Sequence, residues 1–118
     1  MIRQYETVFI MTPVLSEEQM KETVSKFEKI MLDQGGEIIH QENWGMKKLA
    51  YPISKKSSGF YHLIEFKAEA AFVKELEVHF KRDERIMRFL TVALDKNAIE
   101  YNKKRRESKL IKNEEETQ

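Results

Sequence analysis

An α+β fold of order β-α-β-β-α-β, with a four-stranded antiparallel sheet and two helices on one of its faces, is predicted by three observations. Two stretches with helical spacing of apolar residues each sit between stretches rich in β-branched and aromatic residues. The second and third β-rich stretches are joined by Lys55-Lys56-Ser57-Ser58-Gly59, a turn signal that makes them a hairpin. After Asp95 no periodic apolar pattern remains.

Residues 4–12 form the first strand, with Tyr5, Thr7, Val8, Phe9, Ile10 and Met11 in sequence and Pro13 ending it. Ser16 opens a helix through a capping box in which Gln19 stands at the third helical position, and Glu17 and Glu18 suit the positive end of its dipole. Met20, Val24, Phe27 and Met31, with Ile30 beside them, make its apolar face, and Gly35-Gly36 stops it. Residues 37–43 read as the second strand. They lead into residues 43–53, a stretch holding the single Trp, Gly45, the pair Lys47-Lys48 and Pro52. Residues 60–67 make the third strand. Residues 69–81 form a second helix with Phe72, Val73, Leu76 and Phe80 as its stripe. A charged connection, Lys81 to Arg85, precedes the fourth strand at residues 86–94. Two right-handed crossovers place both helices on one face and give the strand order 4-1-3-2. This is the ferredoxin-like arrangement, and it hosts many functions, so function has to be argued from a site.

Residues 1–95 are the folded domain and residues 96–118 a charged C-terminal tail. Residues 102–112 carry six basic side chains against Glu107 alone, and Glu114, Glu115 and Glu116 follow. So polar a segment buries too little area to offset its ordering entropy, and it is expected to be disordered alone and to gain order only on a partner.

At 118 residues the chain suits a single two-layer domain. Its charged fraction of 35% exceeds the usual value of about 25%, yet its net charge is only +1. Nucleic-acid affinity would have to come from local patches. The absence of Cys excludes disulfides, thiolate zinc sites and a Cys nucleophile. The N-terminus lacks an apolar signal core, and no apolar run approaches the ~20 residues that span a bilayer. A soluble cytoplasmic protein is expected, with no membrane partner.

Catalytic chemistry finds little support. His40, His62 and His79 lack ligand spacing, so no metal is expected, and no phosphate-binding glycine loop or nucleophile motif occurs. An acylphosphatase-like enzyme would need an anion-binding loop after the first strand, where Met11-Thr12-Pro13-Val14-Leu15 offers no glycine. No cofactor and no small-molecule substrate are expected.

Binding is better supported. Val8 and Ile10 alternate with Thr7, Phe9 and Met11, and Leu90 and Val92 with Phe89, Thr91 and Ala93. Whichever set faces the helices, apolar side chains remain on the outer face of the sheet, the mark of a partner surface. Lys47, Lys48, Lys55 and Lys56 share one hairpin with Trp44 and Tyr51. They read either as phosphate contacts with stacking aromatics or as hairpin packing beside a solvated edge. Arg82, Arg85 and Arg88 form a second basic cluster, for which Asp83 and Glu84 are the competing partners. Ser58-Gly59-Phe60-Tyr61 and Val8-Phe9-Ile10 resemble, in degenerate form, the paired signatures of an RNA-recognition motif. Tyr61 stands there where a small residue is required, and His62 where an aromatic should stack.

Gly45-Met46-Lys47-Lys48-Leu49-Ala50-Tyr51-Pro52-Ile53 resembles the signature of the bacterial small-subunit ribosomal protein six family: Gly, basic residues, then Leu-Ala-Tyr-Pro-Ile. Arg3-Gln4-Tyr5-Glu6, Pro13, Gly36, Ser58-Gly59-Phe60-Tyr61 and Arg82-Asp83-Glu84-Arg85-Ile86-Met87-Arg88 extend the likeness over residues 2–95. Met46 departs from the pattern, standing where many members carry a basic residue. The resemblance implies a structural protein on the central-domain platform of 16S ribosomal RNA, paired with ribosomal protein eighteen of the small subunit. That pairing would occupy the outer-face residues Val8, Ile10, Leu90 and Val92. By position, Arg3, Lys47, Lys48, Lys55, Lys56 and Arg88 are the expected RNA contacts, followed by Trp44 and Arg85. The competing function is a free-standing regulator that reads single-stranded RNA with aromatics on the sheet face.

Overall fold

The computed structural model describes residues 2–53 and 56–116, with side chains described for 2–49, 51 and 56–107. The elements in order are β1 (Ile2–Met11), α1 (Glu17–Asp33), β2 (Glu37–Ile53), β3 (Lys56–Glu69), α2 (Ala70–Arg82), β4 (Ile86–Ala93) and α3 (Lys96–Glu116). The sheet runs β2-β3-β1-β4 with every pairing antiparallel. This is the predicted order read from the opposite edge.

α1 begins as its sequence dictates. The Ser16 hydroxyl accepts from the Gln19 amide at 3.2 Å, and the Gln19 side chain accepts from the Ser16 amide at 2.9 Å. Its apolar stripe then meets that of α2 over the sheet. Phe27 and Phe80 pack with their rings tilted at 4.4 Å between centroids, with Phe9 against both and Phe89 beside Phe80. Tyr5, Met11, Ile64, Phe66, Met31, Phe72 and Leu76 complete the core. Alternation along β1 settles which face is inner: Tyr5, Thr7, Phe9 and Met11 are all at most 7% exposed.

Two features depart from the expected layout. The hairpin ladder is longer than the predicted strands, continuing from Glu37 opposite Lys67 to Ile53 opposite Lys56. Gly45 explains this. It lies at φ +74°, donates its amide to the Asn43 side chain at 2.9 Å, and coincides with a register shift between Asn43 and Gly45. The Trp-Gly pair is therefore a bulge absorbed within β2, not a strand end.

The second departure is the segment after Asp95, which is helical where disorder was expected. Asp95 caps it, accepting the Ala98 amide at 2.7 Å. Asn102, Arg105 and Arg106 then fall on one face of α3 and bond to Glu6, Glu42 and Glu65 of the sheet. Docking through polar pairs leaves no apolar periodicity to read. The boundary at residue 95 ends the sheet but not the contacts made with it.

Candidate nucleic-acid interface

The register sorts the predicted residues by face. Val8 pairs with Leu90 and Leu63, Ile10 with Arg88 and Tyr61, and Glu6 with Val92 and Glu65. These even positions of β1 point away from α1 and α2, so Val8, Ile10, Leu90 and Val92 share the outer face. Leu90 and Val92 are 66% and 43% exposed. Ile10 is nearly covered, because its side chain lies over Gly59; a Cβ at that glycine would meet Ile10 Cγ2 at 2.4 Å. Val8, Ile10, Arg88, Phe89 and Leu90 line a shallow concavity of about 360 Å³. It is apolar with one cation at its end.

That cation is in the row that leads to the hairpin. Arg88, Ile10 and Tyr61 stand side by side on successive strands, and Gly45 follows opposite Tyr61. Trp44 stacks on Tyr61 at 6.3 Å between centroids, and Lys47 Nζ lies 4.8 Å from the Trp44 ring centre. The stack holds Lys47 by cation–π attraction and uses Trp44 as its platform, so the indole is a packing element and not a free base-stacking surface. Lys48 and Lys47 are exposed opposite Ser58 and Gly59, and Lys56 is half-buried opposite Ile53. Lys55 lies outside the described residues.

Two predicted contacts do not join this group. Arg3 lies seven residues from Ile10 along β1, about 23 Å away. It has the parity of the inner face and borders a separate cleft with Ala93, Leu94 and Asp95. Arg85 is engaged: its Nε and Nη2 donate to the two Asp83 oxygens at 2.9 and 2.7 Å, and Lys26 reaches the same carboxylate at 2.9 Å. The fork holds the Asp83 carboxyl well below the usual carboxylate range, with the Arg85 hydrogen bonds as the main cause, and raises the Arg85 guanidinium in turn.

The histidines are on different faces. His40 stands opposite Glu65 on the outer face, whereas His62 is buried on the inner face against Phe9. His62 Nε2 donates to Gln41 Oε1 at 2.8 Å, and its Nδ1 is buried with no partner among the described residues. Burial lowers its pKa from 6.5 to about 4, so the ring is neutral at physiological pH. Among the described residues no group of His, Cys, Asp and Glu is arranged to hold a metal ion.

The other half of the outer face was not foreseen. Glu65 is 1% exposed and accepts from Gln4 Nε2 at 3.0 Å, Asn102 Nδ2 at 3.1 Å and Arg106 Nη2 at 3.5 Å. Glu6 accepts from Asn102 at 3.0 Å, and Glu42 faces Arg105 at 3.5 Å and His40 at 3.5 Å. The available signals were Asp95 as a cap and the i, i+3, i+4 spacing of Asn102, Arg105 and Arg106.

Comparison with known proteins places this geometry. The profile described as ribosomal protein S6 matches residues 4–93. The small ribosomal subunit protein bS6 of Phocaeicola vulgatus is 62% identical over 113 residues, which is 96% of this chain and 99% of that protein. The chain belongs to the ribosomal protein S6 family. The bS6 protein of Bacteroides fragilis is 61% identical over the same share of both chains. A crystal structure of 30S ribosomal protein S6 from Thermotoga maritima superposes with a TM-score of 0.77 at 31% identity, covering 92% of this chain and 99% of that one. The likeness confirms the ferredoxin-like sheet. The family profile ends at residue 93, before α3, whereas the 113-residue alignments with bS6 relatives extend into it.

Proposed function

We propose that the protein is a structural constituent of the small ribosomal subunit, performing no chemistry, that binds 16S ribosomal RNA jointly with ribosomal protein eighteen. The observation that carries this reading is the meeting of an open apolar floor and a cationic rim where the outer sheet face runs into the β2–β3 hairpin. Val8, Leu90 and Val92 supply the floor, Arg88 and Lys47 the cations with the same parity, and Lys48 and Lys56 lie beside them on the hairpin with the opposite parity. An exposed apolar surface favours a protein partner. Lysines fixed beside it meet phosphate as point charges, so RNA would be recognised through backbone and shape. Protein partner and RNA would thus adjoin each other, each completing the other's site.

The alternative reading, a regulator that stacks single-stranded bases on the sheet, needs aromatics on the outer face. Phe60 pairs with Met11 and packs against the core, and Phe66 is fully buried. Tyr61 is outward but already stacked on Trp44.

The deciding experiment is a titration of a 16S central-domain transcript with the full chain, alone and with ribosomal protein eighteen. The expected result is affinity that rises when the partner is present. Equal affinity with and without it, and tighter binding to short unstructured RNA, would overturn the reading.

A further inference from the structure

We propose that α3 is a second RNA-binding element, whose arginines the sheet carboxylates hold in the free protein and yield to phosphates on binding. This rests on the RNA-binding reading above and adds a site outside residues 4–93, the family-matched body.

Lys103, Lys104, Arg105 and Arg106 are consecutive. Lys103 and Lys104 are exposed, while Arg105 and Arg106 turn towards the sheet, their side chains 38% and 19% exposed. The anchoring of α3 does not depend on those arginines having ideal partners. Asn102, which carries no charge, is buried and bonds both Glu6 and Glu65 at 3.0 and 3.1 Å.

The arginine contacts are of another quality. Arg106 Nε donates to the Asn102 carbonyl one turn back at 3.2 Å, but each arginine reaches its carboxylate through a single Nη2 approach of 3.5 Å. Charge-assisted bonds of this kind ordinarily close to about 2.7–2.9 Å. The same molecule shows what a committed arginine looks like: Arg85 forks onto Asp83 with bonds of 2.9 and 2.7 Å. Arg105 also keeps its Nε–H buried without an acceptor among the described residues. A phosphate offers the bidentate partner that neither Glu42 nor Glu65 supplies. Both side chains are long enough to change partner while Asn102 keeps the helix in place.

Position favours a shared ligand. Arg105 is held at Glu42, which lies five residues before Lys47 on β2, about 17 Å away. Over such a span a duplex carries on the order of ten charges, so one folded RNA can meet the hairpin and α3 together. Glu42 would then compete with phosphate for Arg105 and set how much of its charge RNA receives.

The test is a binding titration of the full chain, with ribosomal protein eighteen, against a 16S central-domain transcript at several salt concentrations. Lys103→Ala/Lys104→Ala is expected to weaken binding about tenfold at low salt and to reduce the slope of log K against log salt by about 1.8. Arg105→Gln should weaken binding, and Glu42→Gln should tighten it about threefold by removing the competitor. In the Arg105→Gln background, Glu42→Gln should have much less effect, a coupling that a merely structural helix would not produce. Circular dichroism on each variant separates loss of α3 from loss of contact. If the α3 variants bind like the parent chain while Lys47→Ala/Lys48→Ala still weakens binding, this inference is wrong and the hairpin site stands. If the parent chain itself fails to bind the transcript, both are wrong.

Discussion

Replacing Lys47 and Lys48 by alanine tests the hairpin as a phosphate-binding rim, and the structure sets the size of the effect. Four described cations share that end of the sheet: Lys47, Lys48, Lys56 and Arg88. Arg85 is left out because Asp83 already neutralises it. Each cation that meets a phosphate contributes about −0.9 to the slope of log K against log salt. The double variant should therefore be shallower by about 1.8, whatever other contacts exist. Between 50 and 200 mM salt, a fourfold change, the affinity ratio of parent to variant should narrow by about twelvefold. Both lysines are exposed, so the melting temperature should hardly change. The emission of Trp44, the single tryptophan, gives an internal control, since Lys47 sits over its ring at 4.8 Å and its loss should shift that spectrum. Filter-binding or fluorescence titrations at four salt concentrations measure the slope. A variant whose slope equals that of the parent would remove both lysines from the RNA interface.

Other expectations follow from the same geometry. Leu90→Asp/Val92→Asp should leave urea stability nearly unchanged, because both side chains are exposed, but should weaken binding of ribosomal protein eighteen at least tenfold by calorimetry. Gly59→Ala should destabilise the fold by about 1–3 kcal/mol in urea titrations, since its methyl would meet Ile10 Cγ2 at 2.4 Å and the Met11 carbonyl at 3.1 Å. His62, with its pKa lowered from 6.5 to about 4 by burial, takes up a proton more readily in the unfolded chain. Its contribution is complete above pH 6.5, declines as pH falls towards 4 and is constant below, with a total of about 3 kcal/mol. Urea midpoints across that window should fall less in His62→Gln than in the parent. Asp83→Asn should cost about 2–3 kcal/mol by leaving Arg85 and Lys26 without their shared carboxylate, again read in urea.

The fold was legible because its signals are local and mutually consistent. The Ser16 capping box, the stripes on the two flanking helices and the Lys55–Gly59 turn signal point to one element order. The parity of the outer face was not legible, since Val8 and Phe9 are equally apolar and only the placement of the helices distinguishes them. The bulge at Gly45 was hidden for a related reason: Trp-Gly reads as a strand end unless the far strand is known to continue opposite it. Among the proposed site residues, Lys47, Lys48, Lys56 and Arg88 came together towards one end of the sheet. Arg3 did not, because strand adjacency carries no information about distance along the strand. Arg85 was one of three arginines beside two acids, and sequence could not say which would pair. Composition led to disorder after Asp95 because hydrophobic area is the usual means of docking a helix. Here carboxylates from three different strands replace it.

The division of the outer face constrains how a partner and RNA could share it. α3 covers the side where Glu6, Glu42 and Glu65 stand, and it does so with amide and guanidinium groups. Left bare, that acidic row would repel an RNA brought to the hairpin lysines. Covered, most of its charge is offset, two guanidiniums standing against three carboxylates, and Lys103 and Lys104 extend beyond it. The apolar side, along β1 and β4, receives no such cover from the described chain. An amphipathic helix in place of α3 could have buried Leu90 and Val92, at the expense of the surface a second protein would use. The arrangement therefore assigns the two halves different tasks. The chain itself offsets most of the charge of the acidic half, and association would cover the apolar half. On this reasoning, deleting α3 should weaken RNA binding while leaving affinity for the protein partner nearly intact.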